Sequence, residues 1–428
     1  MEISLLKYNR HWEKGFRYPF AKKRNIFLSL IETINKRQIV EIVGLRRTGK
    51  TTLLFQLINY LLESGIEPFS ILYFTFDEER IKIEDLIKIF SKQTEKDFKT
   101  DKLYIFLDEI QKLPDFQNQI KIYYDLYPNL KFFLSGSSSF FIKKKTQESL
   151  AGRTLSFNIL PLDFKEYLYF KDKAEILDKP LLYSKEIEME FEIFLTSQFI
   201  ESIEMNKEER KEYFLSIIKK IVFEDIPQIF FIEAPEIIFK ILKIIAQQPG
   251  LFIDYQNFSR EIGVSNKTLS NYFYYLEEAF LIKKLYNFSR NLVTSEKKLK
   301  RFYLATPSFS WAMVDFIEVG KLVENFVSSM KNYKFFWRDP YGHEVDFVNV
   351  EKERIIPIEV KYKEKVLLKE MKNLVLFCRK FKIPEAKILM KILEKQTESI
   401  NNLIIEKIPI FNLNLPIEKG GFSLIPSF

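Results

Sequence analysis

A glycine-rich turn between two apolar segments constrains this chain more than any other feature. Residues 39–43 read Ile-Val-Glu-Ile-Val, and residues 44–51 read Gly-Leu-Arg-Arg-Thr-Gly-Lys-Thr. The residues that follow repeat leucine and isoleucine with the period of an amphipathic helix. A strand, a glycine-rich loop and a helix in this order are typical of a phosphate-binding loop, because backbone N–H groups and the helix N-terminus can then surround a phosphate.

This loop predicts a site for a nucleoside triphosphate, with ATP as the expected cofactor and Mg²⁺ as its metal. We expect the Lys50 ammonium to reach the β- and γ-phosphates and the Thr51 hydroxyl to bind Mg²⁺. A chance match within an ordinary turn is the alternative, and the correct segments on both sides argue against it. The candidate nucleotide-binding residues of the loop are Gly44, Leu45, Arg46, Arg47, Thr48, Gly49, Lys50, Thr51 and Thr52.

A second apolar run ends in two carboxylates. Residues 103–107 read Leu-Tyr-Ile-Phe-Leu, and Asp108 and Glu109 follow them. A run this hydrophobic is typical of a parallel strand that is buried on both faces. We expect Asp108 to bind near the nucleotide and its Mg²⁺, and Glu109 to act as the catalytic base that polarises the attacking water. A solvated acidic turn after a buried strand is the alternative.

Two further apolar runs, at 71–76 and 131–135, complete a predicted parallel sheet with helical segments between its strands. An α/β domain of this kind binds ligands at the carboxyl ends of its strands. The run at 131–135 leads into serines. Ser135 or Ser137 is therefore a candidate for sensing the γ-phosphate, although a plain serine-rich turn explains these residues equally well.

Several motifs resemble those of one superfamily. They are Leu-Asp-Glu-Ile-Gln at 107–111, Leu-Ser-Gly-Ser-Ser at 134–138, Leu-Ala-Gly-Arg at 150–153 and Pro-Leu-Asp-Phe-Lys-Glu-Tyr at 161–167. Together with the phosphate-binding loop they resemble AAA+ ATPases, and more specifically prokaryotic members that carry a C-terminal domain of unknown function. The resemblance extends from about residue 20 to about residue 390 and implies ATP hydrolysis.

The same resemblance implies an arginine that completes the γ-phosphate site, either in its own subunit or in a neighbouring one. Arg153 matches this catalytic role by position, and a structural pairing with a nearby acid is the alternative. A contribution from a neighbouring subunit would make the protein a homo-oligomer. The sequence does not decide between these arrangements.

A helix-turn-helix is predicted in the second half of the chain. Residues 255–262 and 267–277 have helical periodicity, Gly263 makes the turn between them, and Ser265 is a good N-cap. Residues 280–285 then predict a wing strand. Polar and basic residues on the second helix and in the following loop make double-stranded DNA a candidate partner: Asn266, Lys267, Ser270, Asn271, Arg290, Lys297, Lys298, Lys300 and Arg301. A protein-binding winged helix is the equally open alternative.

A second group of carboxylates lies in the last third of the sequence. Glu324 is predicted on a helix and Asp346 on a strand, while Glu359 and Lys361 lie two apart and therefore on one strand face. This order resembles the PD-(D/E)XK nuclease core, although Val345 stands where a proline is usual. The resemblance implies Mg²⁺ or Mn²⁺ bound by the three carboxylates, with Lys361 as a catalytic residue. A solvated strand face is the alternative.

The composition excludes disulfide bonds within the chain and zinc sites built from cysteine or histidine. One cysteine and two histidines cannot form an intrachain disulfide or a cysteine- or histidine-based zinc cluster. No apolar run approaches the ~20 residues that span a bilayer, and the N-terminus lacks the features of a signal peptide. We therefore expect a cytoplasmic protein without a membrane partner. The net charge of +8 permits a nucleic-acid partner without requiring one.

The sequence predicts an α/β protein in four parts: a P-loop AAA+ domain at 1–165, a helical lid or connector at 166–245, a winged helix at 246–305, and a restriction-endonuclease-like α/β domain at 306–428. The predicted function is ATP hydrolysis coupled to DNA binding or processing. The alternative is a nucleotide-operated switch whose C-terminal domain binds a protein or nucleic-acid partner without catalysis.

Overall fold

The computed structural model describes residues 4–137, 150–230, 232–291, 295, 299–351, 354–400 and 402–413. The described residues form two compact units, one on each side of the peptide bond between Leu160 and Pro161. No helix in these ranges combines the length and apolar character needed to cross a membrane.

The first unit is built on a five-stranded parallel sheet. Its strands are β1 (Ile39–Val43), β2 (Ile71–Thr75), β3 (Leu103–Asp108), β4 (Leu130–Gly136) and β5 (Thr154–Asn158). They lie in the order β2-β3-β4-β1-β5, with every pairing parallel. The helices of this unit include α1 (Ile26–Ile31), α2 (Lys50–Glu63), α3 (Ile83–Thr94) and α4 (Phe116–Leu126).

The inner strands of this sheet are mostly apolar and are covered on both faces. Every residue of β1, β3 and β4 is buried, as expected for strands in the middle of a parallel sheet. Parallel pairing places the carboxyl ends of these three strands at one edge of the sheet. The glycine-rich loop, Asp108 and Ser135 therefore meet at that edge, and the predicted parallel α/β core is confirmed.

The second unit is built on a nine-stranded mixed sheet. Its strands are β6 (Leu251–Ile253), β7 (Ile282–Asn287), β8 (Lys300–Leu304), β9 (Phe335–Arg338), β10 (Glu344–Glu351), β11 (Arg354–Lys361), β12 (Glu385–Met390), β13 (Gln396–Ile400) and β14 (Leu403–Pro409). They lie in the order β13-β14-β12-β11-β10-β9-β7-β8-β6. The strands that precede residue 305 and those that follow it thus share one sheet.

Helices cover this sheet and extend from it. They include α5 (Phe164–Phe170), α6 (Ser184–Leu195), α7 (Lys207–Lys220), α8 (Ile226–Ile229), α9 (Pro235–Gln247), α10 (Tyr255–Ile262), α11 (Asn266–Glu278), α12 (Pro307–Met313), α13 (Val319–Met330) and α14 (Lys372–Phe381). One apolar cluster combines side chains of α5, α6 and α13 with side chains of β7, β8, β10 and β11. The helical segments and the sheet of this unit therefore share a core.

Helices α10 and α11 form the predicted pair with a turn between them. Gly263 ends α10 with φ of +82°, in the left-handed region that glycine adopts easily. Ser265 caps α11, since its hydroxyl accepts a hydrogen bond from the backbone N–H of Thr268 at 3.0 Å. The antiparallel strands β6, β8 and β7 lie next to one another at one end of the sheet.

Candidate functional site

The phosphate-binding loop needs backbone conformations that few residues adopt easily. Gly49 has φ of +89° and Arg47 has φ of +67°, both in the left-handed region. A Cβ atom on Gly44 would lie 2.3 Å from the carbonyl oxygen of Ile159, so a side chain there would clash with the backbone. This turn delivers Lys50 to the first position of α2.

Lys50 lies inside the loop with its side chain buried. Its ammonium donates hydrogen bonds to the carbonyl oxygens of Gly44 and Leu45, at 3.0 and 2.9 Å. The Thr48 hydroxyl donates to Leu45 O at 2.8 Å and supports the same turn. A buried ammonium at a helix N-terminus suits an anionic phosphate. The other predicted nucleotide-binding residues lie in this turn or at the start of α2: Arg46, Arg47, Gly49, Thr51 and Thr52.

Asp108, at the carboxyl end of β3, is the centre of a buried hydrogen-bond network. The Thr51 hydroxyl donates to Asp108 Oδ2 at 2.7 Å, and the Tyr73 hydroxyl donates to the same oxygen at 2.9 Å. The Ser135 hydroxyl donates to Oδ1. Burial, and then the charge of Asp108, raise the pKa of Tyr73, so this phenol stays protonated as a donor.

The pairing of Thr51 with Asp108 fits the metal that the loop implies. A hydroxyl and a carboxylate are hard oxygen ligands, and Mg²⁺ in phosphate sites binds through few protein ligands, completing its shell with water and phosphate oxygens. The Ser135 hydroxyl, within β4, contacts Asp108. Ser135 therefore lies close to the position where Mg²⁺ would bind.

Glu109 follows Asp108 in a strained backbone conformation. Its φ of +51° lies in the left-handed region, which is uncommon for a residue with a side chain. Gln111 Nε2 donates to Glu109 Oε2 and, at 3.1 Å, to Ser137 Oγ. The Ser137 hydroxyl in turn lies 3.3 Å from Glu109 Oε2, to which it donates. The structure thus places Ser137 beside the predicted catalytic base.

Sequence reasoning missed two of these partners, Tyr73 and Gln111. Gln111 belongs to the Leu-Asp-Glu-Ile-Gln motif and lies two residues after Glu109, so the signal was present in the motif itself. Tyr73 lies on β2, which pairs with β3. Tyr73 could have been found because its hydroxyl lies in a largely apolar run, and this run forms the strand next to β3, which ends in Asp108.

Arg153 lies far from this site within its own chain. Its guanidinium makes a two-point pair with Asp125 at the end of α4, with N–O distances of 2.8 and 3.1 Å. This pairing lowers the pKa of Asp125. The Arg153 carbonyl accepts from Ile39 N, at the amino end of β1, whereas the loop follows the carboxyl end. The strand is about 13 Å long at ~3.3 Å per residue, so Arg153 does not reach the loop of its own subunit.

The structure brings the predicted C-terminal acids together, but around an arginine. Glu324 on α13, Asp346 on β10 and Glu359 on β11 are all buried. Arg301 Nη2 lies 2.6 Å from Glu324 Oε1, and its Nη1 lies 3.3 Å from Asp346 Oδ1. Lys361 Nζ lies 2.8 Å from Glu359 Oε1. We call Arg301, Lys321, Glu324, Asp346, Glu359 and Lys361 the ion cluster.

The pKa values of the three carboxyl groups diverge within this cluster. Burial pushes the pKa of Glu324 upward, but Arg301 and Lys321 outweigh it and leave this pKa below the usual value. Burial and the neighbouring Glu324 raise the pKa of Asp346. Burial and the neighbouring Asp346 raise the pKa of Glu359 to about 8. The carboxylate that contacts Arg301 most closely is thus the one most favoured in its charged form.

This arrangement bears on two predictions. Within the described ranges, no group of three or more His, Cys, Asp or Glu side chains is arranged to hold a metal ion. Arg301 contacts Glu324 and Asp346, two of the three carboxylates that the prediction assigns to a metal ion. Arg301 and Lys300, which the sequence groups with the DNA-binding loop, are buried on β8 and do not present a surface to DNA.

The predicted DNA-contacting face of α11 is exposed. Asn266, Lys267, Ser270 and Asn271 are all exposed, while the opposite face of the helix packs inward. Asn266 Oδ1 accepts a hydrogen bond from the Ser259 hydroxyl at 2.6 Å, which ties the start of α11 to α10. Lys297 and Lys298 lie outside the described residues. Arg290 donates to the carbonyl oxygen of Phe381 at 2.9 Å.

Comparisons with known families divide the chain into three matched regions. Residues 36–168 match the family described as an AAA domain. Residues 194–317 and 319–411 match two families described as domains of unknown function, DUF8612 and DUF4143. The first match contains the glycine-rich loop and both carboxylates of the candidate nucleotide site.

Relatives match along most of the chain. One uncharacterised protein of Methanocaldococcus jannaschii is 26% identical, with 76% of this chain and 73% of the relative covered. A second is 28% identical, with 77% and 76% covered. Among solved structures, the ADP form of the Aeropyrum pernix ORC2 protein aligns with 70% of this chain and 94% of its own at 12% identity. Its TM-score of 0.35 is too low to carry an argument. In sequence, and in the loop and carboxylates of its candidate site, the first unit is similar to nucleotide-binding AAA+ ATPases.

Proposed function

We propose that this protein binds ATP with Mg²⁺ at residues 44–52 and hydrolyses it. The observation that carries the proposal is the 2.7 Å hydrogen bond between the Thr51 hydroxyl and Asp108, with Glu109 as the next residue. This geometry joins the first turn of α2 to the end of β3, where a triphosphate on the loop would place its γ-phosphate.

Some residues of this site would bind the nucleotide and its metal, and Glu109 would act in catalysis. Lys50, at the start of α2, would neutralise phosphate charge, and backbone N–H groups of the loop would surround the phosphates. Thr51 and Asp108 would hold Mg²⁺, which would supply positive charge next to the phosphates. Glu109 Oε2, held by Gln111 and Ser137, would accept the proton of the attacking water.

Two variants test this proposal on the full-length protein. Lys50→Ala should abolish ATP binding, because the loop loses its buried cation. Glu109→Gln should keep ATP binding but lower turnover by at least ~100-fold, the usual contribution of a general base. Equilibrium binding of labelled ATP and phosphate release measure the two effects. The control is Glu84→Gln, an exposed carboxylate on α3, and full turnover in Glu109→Gln would remove the assignment.

We further propose that the second unit binds double-stranded DNA through a winged helix formed by α10, α11 and the strands β6, β7 and β8. The exposed polar face of α11 supports this proposal, because amide and hydroxyl groups can reach base edges while Lys267 contacts phosphate. ATP binding or hydrolysis would then be coupled to DNA binding. The division of the second unit into a helical part at 166–245, a winged helix at 246–305 and a nuclease-like part at 306–428 belongs to the same proposal.

A second candidate function is a nucleotide-operated switch whose second unit binds a partner without catalysis. The observation that favours it is Arg301, which pairs with two of the carboxylates that a nuclease would use for metal binding. DNA cleavage is therefore not part of our proposal. The first candidate requires DNA as the partner, whereas the switch accepts a protein or a nucleic acid. The prediction for Lys267 in the Discussion tests whether the partner is DNA.

A further inference from the structure

Arg301 is enclosed by the elements around it. Its side chain is 2% exposed. Nε donates to the Gly250 carbonyl at 3.1 Å, Nη2 donates to Glu324 Oε1 at 2.6 Å, and Nη1 donates to Asp346 Oδ1 at 3.3 Å. The guanidinium carbon also lies 5.0 Å from the centre of the Phe252 ring. Every nitrogen of the guanidinium has an acceptor, so its position is defined by contacts on all sides.

The carboxylates beside Arg301 have donors on their other lone pairs as well. Glu324 Oε1 also accepts from the Tyr303 hydroxyl at 2.6 Å, and Oε2 accepts from Lys321 Nζ at 3.1 Å. Asp346 Oδ2 accepts from the backbone N–H of Val360 at 2.9 Å. At Glu324 and Asp346 a metal ion would have to replace such donors, and it would do so beside a buried guanidinium of the same sign. The third carboxylate differs, since within the described part of the chain Glu359 Oε2 is buried without a hydrogen-bond partner.

Each carboxyl group of the ion cluster lies next to at least one cationic side chain. Its cation–carboxylate pairs are Arg301–Glu324, Arg301–Asp346, Lys321–Glu324 and Lys361–Glu359. The cluster as defined thus contains one cation for each carboxylate. A divalent ion added to these groups would leave excess positive charge in a buried place, where an uncompensated charge is strongly unfavourable.

The backbone next to the cluster is shaped to admit Arg301. Gly250 has φ of +84°, and a Cβ atom there would lie 2.8 Å from Glu324 Oε1 and 3.0 Å from Arg301 Nε. Any other residue would press against both partners of the ion pair. A glycine at position 250 therefore fits an arginine that belongs permanently to the cluster.

We propose that Arg301 is the permanent cation of the ion cluster, occupying the place that the sequence assigns to a divalent metal. The cluster then serves to join β8 to α13 and β10, and the second unit neither binds a catalytic metal at these carboxylates nor cleaves DNA there. This inference does not depend on the proposed ATP hydrolysis, because the ion cluster shares no residue with the nucleotide site.

Binding of Mn²⁺ tests the proposal directly. Full-length protein carrying Asp108→Asn, which removes a candidate ligand of the first unit, is titrated with Mn²⁺ without nucleotide, and the electron paramagnetic resonance signal of the free ion is followed. We expect that no stoichiometric binding of Mn²⁺ depends on Asp346. Adding Asp346→Asn should therefore leave the titration unchanged. Binding that persists in the Asp346→Asn variant lies elsewhere and agrees with the proposal. One Mn²⁺ per chain that disappears with Asp346→Asn would overturn it.

Thermal unfolding tests the structural role. Arg301→Met alone should lower Tm strongly, because it leaves buried carboxylates without their cation. Adding Glu324→Leu should recover part of that loss, so the double variant should have a higher Tm than the sum of the single changes predicts. The control pair is Lys395→Met with Glu406→Leu, an ion pair with a largely exposed lysine, for which we expect additive effects. Additive effects of Arg301→Met and Glu324→Leu would contradict the proposal. If Arg301→Met does not fold, the same cycle is run with Arg301→Lys.

Discussion

Glu109 shows how single side chains and backbone strain combine at the candidate nucleotide site. The left-handed conformation costs about 1–2 kcal/mol for a residue with a Cβ atom, and Glu109 adopts it with φ of +51°. Gln111 and Ser137 both donate hydrogen bonds to the Oε2 atom of this carboxylate. The strain therefore accompanies a fixed orientation, as is common where a site depends on geometry.

Gln111 is predicted to be a positioning residue for Glu109. In Gln111→Ala the carboxylate loses its amide donor, so we expect kcat for ATP hydrolysis to fall about 10-fold, because a catalytic group displaced by about 1 Å can lose up to 10²-fold. The KM for ATP should stay unchanged, since Gln111 does not lie in the phosphate-binding loop. Steady-state phosphate release measures both constants. Gln256→Ala, an exposed glutamine on α10, is the control, and an unchanged kcat in Gln111→Ala would contradict the assignment.

The sequence predicts the nucleotide site at residue level because its determinants are local. Lys50 and Thr51 follow from one short loop, and Asp108 and Glu109 follow from one apolar run that ends in acids. Arg301 could not be predicted in the same way. Its partners Glu324 and Asp346 lie 23 and 45 residues away, and nothing in a lysine- and arginine-rich segment marks one member as buried.

At the level of elements, the pair of helices α10 and α11 follows from local sequence, whereas the pairing of the strands beside them does not. The turn between the helices depends on Gly263 and the cap on Ser265, which are neighbours in sequence and therefore visible in it. The parallel pairing of β7 with β9 is different, since it joins Tyr286 to Phe335 across 49 residues. A pairing of that separation depends on the packing of the whole unit, so the sequence did not predict that one sheet crosses residue 305.

The exposed face of α11 leads to a prediction about DNA. Lys267→Glu should weaken binding of double-stranded DNA and reduce the slope of log K against log salt concentration by about 1, as expected for one lost phosphate contact. Fluorescence anisotropy over a range of salt concentrations measures both quantities. Lys219→Glu makes the same charge change at an exposed residue of α7 and should have little effect. Equal weakening by both variants, or no DNA binding by the wild type at low salt, would favour the switch.

At the scale of the whole molecule, the position of Arg153 bears on whether copies of the chain assemble. Within the first unit, Arg153 and the phosphate-binding loop lie at opposite ends of β1. If Arg153 completes a γ-phosphate site, as the resemblance to AAA+ ATPases implies, the site belongs to another copy of the chain. We therefore propose that the active form is a homo-oligomer in which the Arg153–Asp125 pair opens at the subunit interface.

Mixing two inactive variants tests this arrangement. Arg153→Ala retains the loop and Glu109 but lacks the arginine, whereas Lys50→Ala retains the arginine but does not bind ATP. If Arg153 acts on a neighbouring subunit, an equimolar mixture should hydrolyse ATP at a measurable fraction of the wild-type rate, because an interface between the two variants contains one complete site. The control mixture is Glu109→Gln with Lys50→Ala, which should stay inactive since no interface then has both the base and a bound nucleotide. An Arg153→Ala variant with full activity on its own would instead assign Arg153 to its surface pair with Asp125 alone, and a mixture without recovery would count against an arginine supplied by a neighbour.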